Sequence, residues 1–167
     1  QFEEAIRLDP LSHDISAQAI YAYYLPGRNE EALAACLNQL RVDPESAILR
    51  YNLGQIYVSQ GKFSEAIAEL ERARRGHSNF PPFTLALLCC AYAGAGHRDQ
   101  ARAELAGLQR MQDVEKAHVP AIHFAIAYSA LGDRDQAFQW LERAYANRDE
   151  DLVGLRVDPQ FASLHGD

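Results

Sequence analysis

The sequence contains 167 residues, with 16 Lys and Arg against 23 Asp and Glu, and its formal net charge is −7. The hydrophobic fraction of 48% and the charged fraction of 23% are those of a folded chain and argue against wholesale disorder. The acidic balance argues against a nucleic-acid partner, because phosphate binding requires a basic surface. The sequence contains no apolar run of about 18 residues, so we predict no membrane insertion by this segment.

Four segments of the sequence align, at spacings of 34 to 36 residues. Each begins with a glycine, has a tyrosine four residues before it and has an alanine five residues after it. The tyrosines are Tyr23, Tyr57, Tyr92 and Tyr128; the glycines are Gly27, Gly61, Gly96 and Gly132; the alanines are Ala32, Ala66, Ala101 and Ala137. Three invariant columns in four copies indicate an internal repeat.

Each column has a structural reason. The glycine follows an amphipathic stretch and lies where the end of a helix favours the left-handed conformation. The alanine lies on the inner face of the next stretch, where a small side chain lets two helices approach closely. Apolar residues recur at i, i+3, i+4 and i+7 on both sides of each glycine. The sequence therefore predicts pairs of antiparallel helices, each pair joined by a short turn.

The pairs are predicted to stack into one all-α, right-handed superhelical solenoid over residues 1–167. Residues 1–10 correspond to the second helix of an earlier, truncated pair, so we expect the chain to be part of a longer protein. The predicted pairs cover 13–46, 47–81, 82–117 and 118–149. Residues 150–167 are predicted to be a closing tail that covers the open apolar face of the last pair.

Proline signals mark the predicted boundaries. Asp43 precedes Pro44, and we interpret the pair as a capping carboxylate followed by a proline in the first helical turn. Asp9-Pro10 and Asp158-Pro159 repeat this pattern, Pro81-Pro82 precedes the third pair, and Pro120 lies near the start of the fourth.

This pattern resembles the tetratricopeptide repeat family. The second pair matches best, with the YNLG run from Tyr51 followed by Tyr57, Ala66 and Ala73. The resemblance covers residues 1 to about 149 and implies a concave surface, lined by the first helices, that binds protein partners. Pentatricopeptide repeats share the period and would imply RNA binding, but they need a basic inner surface that this acidic chain lacks.

The resemblance places five columns of each first helix on the concave side, and none of these positions is Lys or Arg. Family members that clamp chaperone tails use Lys, Asn and Arg there, and only Asn52 matches a clamp column. We therefore predict an apolar and aromatic groove for a peptide or helix, the alternative being that its residues pack against neighbouring repeats. The predicted groove residues are Tyr21, Tyr24, Tyr51, Gln55, Phe83 and Ile122.

Residues suited to chemistry form no recognisable motif in the sequence. His118 and His123 are not at the i,i+4 spacing of a helical metal pair, and no phosphate- or dinucleotide-binding motif occurs. Cys36, Cys89 and Cys90 lack CxxC spacing and are expected to be reduced, buried packing residues. We therefore predict no enzyme activity, no cofactor and no metal.

The tail, with the sequence DEDLVGLRVDPQFASL, resembles the segment that closes tetratricopeptide arrays in some bacterial multidomain regulators. We predict a protein–protein interaction module of a bacterial signalling or transcription-regulating protein. Its expected location is the cytoplasm, or the periplasm if a membrane-spanning segment lies upstream. The alternative function is a structural spacer or a self-association element, with a homodimer formed through the open end of the repeats.

Overall fold

The computed structural model describes residues 28–75, 80–114 and 117–149, together with Leu152, Phe161 and Leu164. Within these residues the chain forms seven α-helices and no strand, so the prediction of an all-α helical repeat is confirmed there. The helices are α1 (Asn29–Val42), α2 (Ala47–Ser59), α3 (Phe63–Arg75), α4 (Pro82–Gly94), α5 (Arg98–Asp113), α6 (Ala121–Leu131) and α7 (Arg134–Asn147). None of the helices in the described ranges has the length and apolar character needed to cross a bilayer.

The chain divides into two compact units, Gln1–Ser78 and Asn79–Asp167. In the first unit, α2 packs against both α1 and α3. In the second unit, α4 pairs with α5, α6 pairs with α7, and α6 also packs against α4 and α5. The superhelical twist and the four-pair division remain predictions.

The turns at three of the repeated glycines share one backbone conformation and one hydrogen bond. Gly61, Gly96 and Gly132 have φ values of 70°, 82° and 80°, in the left-handed region that a side chain disfavours. The amide after each glycine donates to the carbonyl oxygen of the invariant tyrosine, over 2.9 Å at Tyr57 and 3.0 Å at Tyr128. The glycine column is thereby confirmed as a helix-ending position in these three copies, and Gly27 lies outside the described residues.

The four alanines of the repeat lie in the fully buried part of the helix packing. Ala32, Ala66, Ala101 and Ala137 are each 0% exposed. In the second unit, the ring of Phe124 in α6 stacks on Trp140 in α7 with 4.2 Å between centroids. The stacked rings of Phe124 and Trp140 thus add an aromatic contact between α6 and α7.

One predicted boundary is wrong. Helix α2 begins at Ala47 after Ser46, so Pro44 does not occupy its first turn. The Asp43 carboxylate instead accepts the amide of Glu45, and this local turn precedes the helix. Pro81 and Pro120 do lie immediately before α4 and α6, as predicted, whereas Asp9-Pro10 and Asp158-Pro159 lie outside the described residues.

Candidate interaction surface

Tyr51 and Gln55 lie one turn apart on the same side of α2, in the first unit. The Tyr51 ring is half-buried, so part of it is accessible to a ligand. Gln55 is only 5% exposed. The other two residues predicted for this part of the groove, Tyr21 and Tyr24, lie outside the described residues.

Asn52 is the residue at the clamp-like column, and it is 7% exposed. Its side-chain Nδ2 atom has no hydrogen-bond partner among the groups that the structure describes. The side-chain amide of Asn52 is therefore buried and is not exposed to solvent. It therefore adds no accessible polar contact to the Tyr51 side of α2.

Phe83 lies in the first turn of α4, in the second unit, and is half-buried. Its ring centroid is 5.0 Å from that of His123 in α6, with the two planes inclined by 46°. His123 is 5% exposed and therefore belongs to the packed interior, whereas the exposed His118 lies before the helix. Phe83 thus combines an anchored ring with some remaining accessible surface.

Ile122 does not share this accessibility, because it is 1% exposed. Its neighbours on α6 from Ala121 to Ala127 are all buried, as are the residues of α4 from Thr84 to Ala91. A helix whose whole circumference is buried offers no open stripe to a ligand. The expectation that Ile122 lines an open groove is therefore corrected: it is a core residue of the second unit.

Several charged side chains in the described part of the first unit pair with each other. Arg50 in α2 and Glu69 in α3 form an ion pair of 2.7 Å, and each side chain is 15% exposed. At the end of α3, Arg72 pairs with Glu69 over 3.0 Å and Arg74 with Glu71 over 2.5 Å. Two of the three arginines at this helix end are thus paired with acids of the same helix, and Arg75 donates to the Glu71 carbonyl oxygen.

The three cysteines are free and buried, as predicted. The Cys36 thiol donates to the carbonyl oxygen of Leu49 over 3.1 Å, and the Cys89 thiol to that of Ala127 over 3.6 Å. Burial raises the pKa of both thiols from 9.0 to about 12, with a smaller contribution from Glu69 for Cys36 and from Glu104 for Cys89. Thiols that hold their protons this strongly are packing groups, not nucleophiles.

Two features escaped the sequence reasoning. The Asp149 carboxylate accepts a hydrogen bond from the amide of Ile122 over 3.1 Å, which ties the chain two residues after α7 to the start of α6. Phe138 and Tyr145 on α7 are 46% and 79% exposed. The sequence gives little sign of the Asp149 cap, because a capping residue 27 positions away forms no local motif.

Comparison with known proteins bears on the repeats and the fold. Tetratricopeptide repeat models match residues 26–84 and 120–143. The structure is similar to that of a tetratricopeptide repeat protein from Parabacteroides merdae, with a TM-score of 0.56 and 13% identity, a likeness that concerns the fold alone. The match covers 98% of this chain and 64% of that one, so the chain spans less than two thirds of its length. No curated protein matches the sequence.

Proposed function

We propose that this chain is a non-catalytic interaction module that binds a peptide or a helix through apolar and aromatic contacts on its first helices. The chain carries tetratricopeptide repeats, which generally mediate protein–protein interaction. The observation that carries the proposal is the pair of half-buried aromatic rings, Tyr51 in the first unit and Phe83 in the second. Partly buried aromatic rings are the side chains that most often anchor protein interfaces.

The ligand chemistry follows from the residues around these rings. Val58 and Ser59 lie about two turns after Tyr51 and are half-buried, so the accessible surface on this side of α2 is small, apolar or uncharged. A partner that relied on a carboxylate or a phosphate would need cationic donors there. We therefore infer a ligand with apolar side chains, held as a helix or an extended segment.

The wider setting is proposed from the tail. Its likeness to the closing segment of bacterial multidomain regulators supports a role in signalling or transcription control, in the cytoplasm. The second candidate function is a structural spacer or a self-association element. Exposed apolar side chains such as Val42 and Val114, at 56% and 73%, are the observation that favours it.

A displayed library of random peptides, selected on the intact chain, tests the proposal. The expected result is an enriched apolar motif whose binding is weakened by Tyr51→Ala or by Phe83→Ala. Val42→Ala and Val114→Ala are matched controls, because each removes exposed apolar surface in one unit without touching either ring. Sedimentation of the chain alone separates the two candidates: self-association without peptide selection would favour the second.

A further inference from the structure

Helix α7 exposes two large aromatic side chains on one face. Phe138 is 46% exposed and Tyr145 is 79% exposed, and seven residues separate them, so they lie two turns apart on the same side. The half-buried Leu141 lies between them. We call Phe138, Leu141 and Tyr145 the α7 stripe. It is the longest exposed aromatic surface on any described helix.

Equivalent positions in α1 show what this face contacts elsewhere in the chain. Relative to the invariant alanine, Phe138 and Tyr145 occupy the columns of Leu33 and Leu40. Leu33 and Leu40 pack against the hydrophobic cluster that α1 forms with α2. Cys36, at the column of Leu141, donates its thiol to a carbonyl of α2 over 3.1 Å. In the first unit, this face therefore binds the first helix of the following pair.

Helix α5 provides the contrasting case. Its residues at the two columns are Arg102 and Gln109, which are both exposed and polar. Gln109 lies 3.4 Å from the Tyr128 hydroxyl of α6, again the first helix of the following pair. The two columns are thus apolar in α1, where they pack, and polar in α5, where they are exposed. Helix α7 combines apolar residues with exposure, which is the pattern of a binding surface.

A row of acids runs beside the α7 stripe. Asp135 and Glu142 are also seven residues apart, both are exposed, and on a helix they lie about 60° from the aromatic pair. Neither carboxylate forms an ion pair within the described part of the chain. A helix that covers the stripe would meet these two negative charges along one edge.

We propose that the α7 stripe binds an amphipathic helix of a partner protein, with aliphatic residues at i, i+4 and i+7 and basic residues along one flank. The aliphatic spacing is that of Leu49, Leu53 and Ile56, the residues that α2 contributes to the cluster with α1. The described apolar residues of the closing tail, Phe161 and Leu164, are themselves buried while the stripe stays exposed. A second copy of this chain is the less suitable occupant. Those three residues are 1%, 3% and 1% exposed, and the central parts of α4 and α6 are buried as well.

The test uses a fluorescein-labelled helical peptide of about 18 residues, with leucines at i, i+4 and i+7 and lysines along one flank. Fluorescence anisotropy with the intact chain should show saturable binding. Phe138→Ala with Tyr145→Ala should weaken it at least about tenfold. The control, Arg102→Ala with Gln109→Ala at the equivalent columns of α5, should leave it unchanged.

Reversing the charges of the exposed residues Asp135 and Glu142 tests the predicted basic flank of the partner helix. The double variant Asp135→Lys with Glu142→Lys should bind the lysine peptide more weakly than the wild-type chain does. It should bind a matched peptide, with glutamates in place of the lysines, more tightly. The proposal is overturned if neither peptide binds the wild-type chain, or if the α5 control weakens binding as much as the α7 variant. It is equally overturned if the chain dimerises alone and the α7 variant is monomeric, since a second copy would then be the occupant.

Discussion

A Cβ atom on Gly54 would lie 2.5 Å from the Cγ atom of Leu70 and 2.6 Å from its Cδ2 atom. Gly54 is in α2, and Leu70 is a fully buried residue of α3. The backbone of one helix therefore rests directly on a side chain of the other. This contact sets the separation of the two helices, because no larger residue fits at that point.

Gly54→Ala is expected to destabilise the first unit by up to about 2 kcal/mol. The overpacking cost of about 1–3 kcal/mol exceeds the gain of about 1 kcal/mol from replacing a glycine within a helix. Urea unfolding followed by circular dichroism measures the change. Gly107→Ala is the matched control, since its Cβ would meet the Leu85 Cδ1 and Cδ2 atoms at the longer distances of 3.1 and 4.0 Å. Equal stabilities of the two variants would contradict the close contact.

Arg50→Ala should cost about 1–2 kcal/mol, because it removes hydrogen bonds to a charged partner. Arg50 pairs with Glu69 over 2.7 Å, both side chains are 15% exposed, and its guanidinium also donates to the Pro44 carbonyl. Arg102→Ala should change stability by less than about 0.5 kcal/mol, because Arg102 and Asp99 form an exposed pair. Chemical denaturation of both variants measures the difference, and the prediction fails if Arg102→Ala costs more.

Asp149→Ala should destabilise the second unit by about 1 kcal/mol, the usual value of a lost helix cap. Its carboxylate caps Ile122, where Pro120 provides no side-chain cap. The preceding Arg148 has a φ of 58°, so Arg148→Gly should relieve strain and leave stability equal or higher. Emission from Trp140, the single tryptophan of the chain, reports both transitions. An unchanged midpoint for Asp149→Ala would show that the cap has no stabilising role.

Alkaline pH should unfold the protein through its buried thiols. The pKa values of Cys36 and Cys89 are about 12 in the folded chain, against 9.0 for an ordinary cysteine. The protonated thiols stabilise the fold fully below pH 9, and this contribution is lost as pH rises from 9 towards 12. Burial raises the pKa of Tyr57 as well, so it acts in the same direction.

Urea midpoints measured across this range test the effect. They should be flat below pH 9 and fall above it. The variant with Cys36→Ala and Cys89→Ala should start with lower stability, because each thiol also fills buried volume, but it should decline less steeply. Identical slopes for the variant and the wild type would assign the alkaline loss to other groups.

The helices could be predicted from the sequence because their signals are local. Gly61, Gly96 and Gly132 end helices through a conformation that glycine adopts most easily, and Ala66 and Ala101 mark close packing at a fixed distance. The cap of Ile122 by Asp149 could not be predicted, since no motif joins residues so far apart. Burial of Ile122 was missed because a repeat column gives the direction of a side chain but not what covers it.

We propose that the chain binds an apolar peptide through an aromatic ring on a first helix, Tyr51 in the first unit or Phe83 in the second. Isothermal titration of a library-selected peptide into the intact chain tests it most directly, with Val42→Ala and Val114→Ala as controls. Tyr51→Ala or Phe83→Ala should weaken binding about tenfold, or about 1.4 kcal/mol, while the controls stay within about twofold. Wild-type affinity in both aromatic variants would contradict the claim.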